Sequence, residues 1–109
     1  MKKQLALSTT TGLKIINPLS IRYCKADGSY SHIYLEEGEK MTVSKNLKAL
    51  EGKLPSEAFL RIHHKYLVNR YQIVEIFING GCHVLLKDGT KLEVSQKKRP
   101  DVIGAFDKL

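Results

Sequence analysis

Short alternating segments separated by turn residues limit the fold of this 109-residue chain more than any other feature. Ile33 and Leu35 alternate with His32 and Tyr34, the period of two expected of a strand with one buried face. Tyr30 falls in phase with His32 and Tyr34, so these three side chains share the opposite face. Strand-like runs bounded by Gly, Pro, Asp or Asn cover residues 13–16, 19–26, 30–35 and 40–44. We therefore predict a mainly β domain.

The second half of the chain predicts a three-stranded meander. Gly80-Gly81 joins residues 73–78 to residues 82–87, and Asp88-Gly89 joins the latter to residues 90–94. Dipeptides of both kinds are typical of the tight turns that close antiparallel hairpins.

Two short helices are predicted beside the strands. The first starts at an N-cap, Ser44 or Asn46, and ends at Pro55; its apolar positions are Leu47, Leu50 and Leu54. The second begins near Pro100, with Asp101 in the first turn, where a carboxylate suits the helix dipole. Its apolar positions are Val102, Ile103, Phe106 and Leu109.

The size and charge of the chain limit its class. The length suits a single domain, residues 1–109, and 18 Lys and Arg against 11 Asp and Glu give a net charge of +7. Such a surplus favours a negatively charged partner. A hydrophobic content of 42% argues against disorder, and no apolar run approaches the roughly 20 residues that span a bilayer. Met1-Lys2-Lys3 resembles the start of a signal peptide, but only Leu5-Ala6-Leu7 follows, so we expect a cytoplasmic protein.

The reactive side chains are dispersed along the sequence. Cys24 and Cys82 stand far apart in strand-like contexts, which predicts two buried thiols in a reducing compartment. His63 and His64 are adjacent, and on a strand they would point to opposite faces and not chelate one ion together. No paired catalytic groups or phosphate-binding loop is present. We expect no enzyme, no cofactor and no metal.

A basic segment without any acidic residue covers residues 59–70. Its apolar residues can anchor a turn to the core; they are Phe59, Ile62, Tyr66 and Val68. The anchored turn would then present basic side chains at the surface, namely Arg61, His63, His64 and Lys65. That composition suits a structured loop that faces a polyanion.

Basic and polar residues also recur at other strand ends. They lie at Ser29, Tyr30, Ser31 and His32, at Ser95, Gln96, Lys97 and Lys98, and at Lys45, Asn46 and Lys48 around the first helix. Loops at one edge of a sheet can form a single surface. Such a surface could contact phosphates through some side chains while others reach base edges.

Four segments resemble, in the same order, the LytTR-type DNA-binding domain of bacterial response regulators. Residues 21–30 are similar to its opening strand and Asn-Tyr turn, and residues 47–54 to its leucine-bearing helix. Residues 59–69 are similar to its Phe-x-Arg-Ile-His signature, and residues 89–95 to its Gly-x-x-Leu-x-Val-Ser closing strand. The resemblance implies elongated, stacked β-sheets with a short flanking helix and a C-terminal helix. It also implies loops that enter successive major grooves of duplex DNA.

Carried over by position, the resemblance assigns base reading to Tyr30, His64 and Lys97. Contacts to the DNA backbone, or support for such contacts, are assigned to Ser29, Ser31, Lys45, Asn46, Lys48, Arg61, His63, Lys65, Ser95, Gln96 and Lys98. The chain departs from the family at Lys65, where Ser is frequent, and at Gln96, where Arg is frequent. The implied partners are double-stranded DNA with paired half-sites, a receiver domain in a longer chain, and a second copy through weak or DNA-dependent self-association.

A non-enzymatic interaction module is the alternative reading of the same residues. Its basic face would bind an anionic membrane, an acidic protein or RNA. RNA is the weaker of these partners, because only Tyr30 and Tyr34 suggest the platform of exposed aromatic side chains that single-strand readers use.

Overall fold

A computed structural model describes residues 4–109 as ten strands in antiparallel sheets, with two short α-helices. The predicted mainly β architecture is confirmed. The first five strands are β1 Leu5–Thr9, β2 Gly12–Ile16, β3 Ile21–Asp27, β4 Tyr30–Leu35 and β5 Lys40–Val43. The others are β6 Phe59–His63, β7 Tyr66–Asn69, β8 Ile73–Phe77, β9 His83–Leu86 and β10 Lys91–Glu93. The helices are α1 Leu47–Glu51 and α2 Arg99–Gly104, and two 3-10 turns lie at Pro18–Ser20 and Arg70–Gln72.

A five-stranded sheet with the order β5-β4-β3-β7-β6 forms the centre of the molecule. In β4, Ser31, Ile33 and Leu35 are buried while the residues between them are partly exposed, as the alternation predicts. In β3 a bulge between Ile21 and Tyr23 changes the phase of the strand. The extra residue sends Ile21 and Cys24 to one face of the sheet and Tyr23 to the other.

Two hydrophobic clusters cover the two faces of this sheet. The first core joins it to α1 and to the β1-β2 hairpin; its buried members include Ile21, Cys24, Ile33, Leu47, Leu50 and Leu67. The second core joins it to the β8-β9-β10 meander and α2; its buried members include Tyr23, Ile62, Val68, Val84, Leu92 and Val102. The central strands are therefore covered on both faces, and the sheets stack on one another in a molecule whose longest dimension is 46 Å.

The predicted meander is confirmed, with strand order β10-β9-β8 and antiparallel pairing throughout. The two turns that connect its strands contain residues with positive φ angles. Gly80 has φ 68° and Gly89 has φ 93°, values that side-chain-bearing residues rarely adopt.

Both helices are shorter than the sequence predicts. Asn46, not Ser44, caps α1: its Oδ1 accepts a hydrogen bond from the Ala49 amide at 2.8 Å. Helix α1 ends at Glu51 because Gly52 follows, although Leu54 still packs in the first core. The placement of Leu109 on α2 is wrong, since the helix ends at Gly104 and Leu109 is fully exposed.

Phe106 also lies beyond α2, where the guanidinium carbon of Arg70 is 4.8 Å from the centre of its ring. Strand β1, which pairs with β2, was not predicted at all. The signal-like Met1–Lys3 lies outside the described residues. No helix within residues 4–109 has the length and apolar character needed to cross a membrane.

Candidate nucleic-acid interface

The hairpin of β6 and β7 carries the basic segment of the sequence. His63 pairs with Tyr66, so His64 and Lys65 form a two-residue turn between the strands. Two-residue hairpin turns normally need positive φ angles to match the twist of their strands. Neither His64 nor Lys65 has a positive φ. Other interactions must therefore hold this turn.

Arg61 and His63 supply those interactions. The Arg61 guanidinium donates to the carbonyl oxygens of His63 at 2.9 Å and His64 at 3.0 Å, and it lies 3.5 Å from a Glu51 carboxylate oxygen. His63 Nδ1 accepts a hydrogen bond from the Lys65 amide at 3.1 Å. The expectation that both side chains are presented at the surface is wrong: His63 is 8% exposed, and Arg61 is half-buried against the turn.

The two histidine rings stack on each other, with their centroids 4.3 Å apart and an angle of 30° between their planes. The prediction that they point to opposite faces is wrong, because a bulge between Arg61 and His63 breaks the alternation and His64 already belongs to the turn. Within residues 4–109 no cluster of three or more His, Cys, Asp or Glu side chains could hold a metal ion.

The environment of His63 favours its neutral form. Burial lowers the pKa of His63, and electrostatic repulsion by His64 and Lys65 lowers it further. Glu93 on β10 acts in the opposite direction, with a carboxylate oxygen 3.4 Å from Nε2. Burial and repulsion outweigh this attraction, so the pKa lies below its ordinary value.

Hydrogen bonds and strand pairing link four loops at one end of the five-stranded sheet. The Ser31 hydroxyl donates to the Lys45 carbonyl at 2.6 Å, which ties β4 to the loop before α1. The Ala26 amide donates to the Lys65 carbonyl at 2.9 Å, and the Ser95 amide to the Ile62 carbonyl at 2.9 Å. We call the resulting surface the loop rim; it comprises residues 28–30, 44–46, 64–65 and 95–98, together with the exposed Lys48 on the first turn of α1.

The three residues predicted to read bases, Tyr30, His64 and Lys97, are exposed on this rim. The residues predicted to contact or support the DNA backbone differ in exposure. Those exposed are Ser29, Lys45, Asn46, Lys48, Lys65 and Gln96. Ser95 and Lys98 are half-buried, and the Lys98 amide donates to the Ser95 hydroxyl at 3.2 Å. Ser31 is fully buried, so its hydroxyl serves the Lys45 loop and does not reach solvent.

Three acidic residues near the rim have basic partners. Asp27 lies 2.8 Å from His32, Glu51 lies 3.5 Å from Arg61, and Glu93 lies 3.4 Å from His63. By contrast, none of the ion pairs among residues 4–109 includes Lys45, Lys48, Lys65 or Lys97. The exposed ammonium groups of the rim are thus free to meet an anion.

Sequence reasoning missed Glu93 and Glu51 as partners of the turn. Glu93 alternates with the buried Leu92 and Val94, which predicts an outward side chain but not its neighbour. Since β10 and β6 belong to different sheets, no local pattern indicates that Glu93 meets His63.

The LytTr DNA-binding domain family model matches residues 11–106, nearly the whole chain. The sensory transduction protein LytT of Bacillus subtilis (strain 168) is 32% identical over 95 residues, which cover 85% of this chain and 39% of that protein. LytT of Enterococcus faecalis (strain ATCC 700802 / V583) is 36% identical over 52 residues, 46% of this chain and 22% of that protein. The chain therefore spans about two fifths or less of these relatives.

Among solved structures, the LytTr DNA-binding domain of a Bacillus cereus response regulator superposes with a TM-score of 0.83 at 23% identity. The superposition covers 96% of this chain and 97% of that domain, which confirms the fold. The family model, the relatives and the resemblance of the signature segments agree: this chain belongs to the LytTR family of DNA-binding domains.

Proposed function

We propose that residues 1–109 form one cytoplasmic module that binds specific sequences in duplex DNA and regulates bacterial transcription. The observation that carries the proposal is the loop rim, where exposed, unpaired lysines surround three exposed side chains capable of base contacts. Membership of a DNA-binding domain family supports the same conclusion.

In this proposal, residues in different parts of the rim make the phosphate contacts and the base contacts. Lys45 and Lys48 flank the start of α1 and would neutralise phosphates, which fixes register without reading sequence. Lys97 lies between β10 and α2, held from both sides, so that its side chain can reach a guanine edge with a limited loss of entropy. His64 and Tyr30 present hydrogen-bonding groups from anchored turns. The remaining exposed rim residues would contact the backbone.

The shape of the molecule supports loops that enter successive major grooves. Its longest dimension is 46 Å, which exceeds the roughly 34 Å of one turn of B-DNA. Two contact regions on one protein could thus meet the same face of the duplex a turn apart. Paired half-sites would then accommodate two copies, with self-association that is weak or depends on DNA.

We also propose that these residues are one part of a longer regulator, because the match covers only 39% of the length of the Bacillus subtilis relative. We propose that a receiver domain accompanies this module in such a protein and supplies the regulatory signal. The module itself is proposed to act without catalysis, cofactor or metal.

Selection from randomised duplexes, followed by titration at several salt concentrations, tests the proposal. With about four to six phosphate contacts, the logarithm of the affinity should fall with that of the salt concentration at about 0.9 per contact. Affinity that does not depend on salt would contradict the proposal. Tighter binding to single-stranded RNA, anionic vesicles or an acidic protein than to any selected duplex would support the alternative instead.

Three variants separate base reading from phosphate binding. Lys97→Ala and His64→Ala should each lose about 1 to 3 kcal/mol on the selected duplex and less on a scrambled one. Lys48→Ala should weaken both duplexes alike and lower the salt slope by about one. If the first two variants weaken both duplexes in equal proportion, these residues contribute only charge.

A further inference from the structure

We infer that His63 is a positioning residue for DNA recognition: its neutral ring accepts the Lys65 amide and thereby fixes the turn that presents His64. The inference rests on the proposed DNA-binding function and assigns His63 a role other than contact with DNA.

The turn lacks the backbone geometry that would stabilise it without help. His64 and Lys65 occupy a two-residue connection, yet neither has the positive φ that matches such a connection to twisted strands. The side-chain hydrogen bonds that hold the backbone of this turn come from Arg61, which donates to two carbonyls, and from His63, which accepts one amide. Loss of the His63 bond would leave the Lys65 amide without its side-chain acceptor and loosen this side of the turn, although the Ala26 amide would still hold the Lys65 carbonyl.

The hydrogen bond also defines the tautomer. Because Nδ1 accepts from the Lys65 amide at 3.1 Å, the proton of the neutral ring lies on Nε2. Nε2 in turn faces the Glu93 carboxylate at 3.4 Å. Both ring nitrogens are thus engaged within the protein, and the ring face supports the stacked His64 ring. Since His63 is 8% exposed, direct contact between this side chain and a phosphate is disfavoured.

Protonation of His63 would remove the acceptor, because Nδ1 would then carry a hydrogen pointed at the Lys65 N–H. Each element that packs on the His63 ring contributes a group that faces it. His64 and Lys65 oppose a positive charge there, and Glu93 on β10 favours one. On β6 the Arg61 guanidinium donates to the His63 carbonyl, and on β7 the Tyr66 ring lies 5.5 Å from the His63 ring. Acidification should therefore disorganise the turn while it adds positive charge to the rim. Sequence preference would fall although non-specific attraction would not.

Two substitutions of His63 separate its role as a hydrogen-bond acceptor from its packing against His64. His63→Phe keeps an aromatic ring that can stack on His64 but has no acceptor. His63→Asn has a carbonyl oxygen close to the position of Nδ1, and that oxygen stays unprotonated across the pH range. Lys48→Ala serves as the phosphate-contact control. Cooperative thermal unfolding of each variant establishes that it is folded at the assay temperature.

The measurement is the ratio of affinities for the selected and the scrambled duplex, at two salt concentrations and between pH 7.5 and 5.5. We expect His63→Phe to lower this ratio about tenfold at pH 7.5, with the salt slope of the wild type. His63→Asn should retain most of the ratio at pH 7.5 and lose less of it on acidification than the wild type. The two proteins differ only at residue 63, so the difference between the two profiles belongs to His63.

Two results would overturn the inference: equal pH profiles for the wild type and His63→Asn, or a fall in salt slope for His63→Phe as large as for Lys48→Ala. The comparison of wild type with His63→Asn needs only one substituted protein, so it decides the matter even if His63→Phe does not fold. Failure of the proposed function would look different, because the wild type itself would then show no preference between the duplexes.

Discussion

Asn69 provides the most direct test of how the central sheet is held. Its side chain lies at the end of β7 and is 1% exposed. Nδ2 donates to the carbonyl oxygens of Leu19 at 3.2 Å and Ile21 at 2.9 Å, and Oδ1 accepts from the Tyr71 amide at 2.9 Å. One amide thus caps the 3-10 turn Arg70–Gln72 and ties it to the start of β3.

The expected cost of Asn69→Ala follows from these three bonds. Loss of a cap costs about 1 kcal/mol. An unsatisfied buried acceptor at Ile21 costs about 1 to 3 kcal/mol, and the partly buried bond to Leu19 contributes about 0.5 to 1 kcal/mol. We expect a loss of about 3 to 4 kcal/mol in the free energy of unfolding.

Asn17→Ala is the matched control. Asn17 caps the 3-10 turn Pro18–Ser20 in the same way, with Oδ1 accepting the Leu19 amide at 2.9 Å, but its side chain is exposed. It should cost about 1 kcal/mol. Urea unfolding of the wild type and both variants gives the two free energies, provided that the m-values agree. Equal losses for the two variants would refute the assignment of the additional stability to the buried donor bonds of Asn69.

Three further predictions concern titration, thiol chemistry and metals. Because the pKa of His63 is lowered in the folded protein, the unfolded chain binds more protons below about pH 6.5, and stability should fall as pH drops through that value. Urea unfolding between pH 7.5 and 5 should show less of this loss in His63→Asn, and an identical loss would contradict the assignment. Burial raises the pKa of the Cys24 thiol to about 12, so Cys24 should not react with a thiol reagent in the native protein at pH 8; rapid modification without unfolding would argue against its burial. A chelator should change neither the midpoint of thermal unfolding nor DNA binding, whereas stoichiometric zinc lost together with folding would reverse this expectation.

The parts of the fold that local chemistry determines could be predicted from the sequence. Alternation identified β4, and the turn dipeptides Gly80-Gly81 and Asp88-Gly89 identified the meander, because period and turn conformation depend on neighbouring residues. Strand β1 escaped prediction because Leu5 and Leu7 give only a brief alternation before polar residues. The ends of α1 and α2 were also mispredicted. The apolar pattern continues to Leu54 and Leu109, but a glycine, Gly52 or Gly104, ends each helix before that residue.

The exposure of the candidate base-reading residues could be predicted for a similar reason. Tyr30, His64 and Lys97 follow or begin strands, and residues at strand ends tend to be exposed. The inward positions of Arg61 and His63 could not be predicted. They depend on a bulge in β6 and on carboxylates from α1 and β10, elements that meet β6 only in the folded molecule.

The division of the interior into two clusters affects how the sequence of such a domain can evolve. Tyr23 and Cys24 are neighbours in sequence, yet they pack in different clusters on opposite faces of one sheet. Substitutions in separate clusters with no shared contacts should affect stability additively. The first core, which packs against the β1-β2 hairpin, could therefore accumulate substitutions and form new contacts, while the second core, on the side of α2, keeps its packing. The packing of each cluster would then be able to diverge independently within a single small domain.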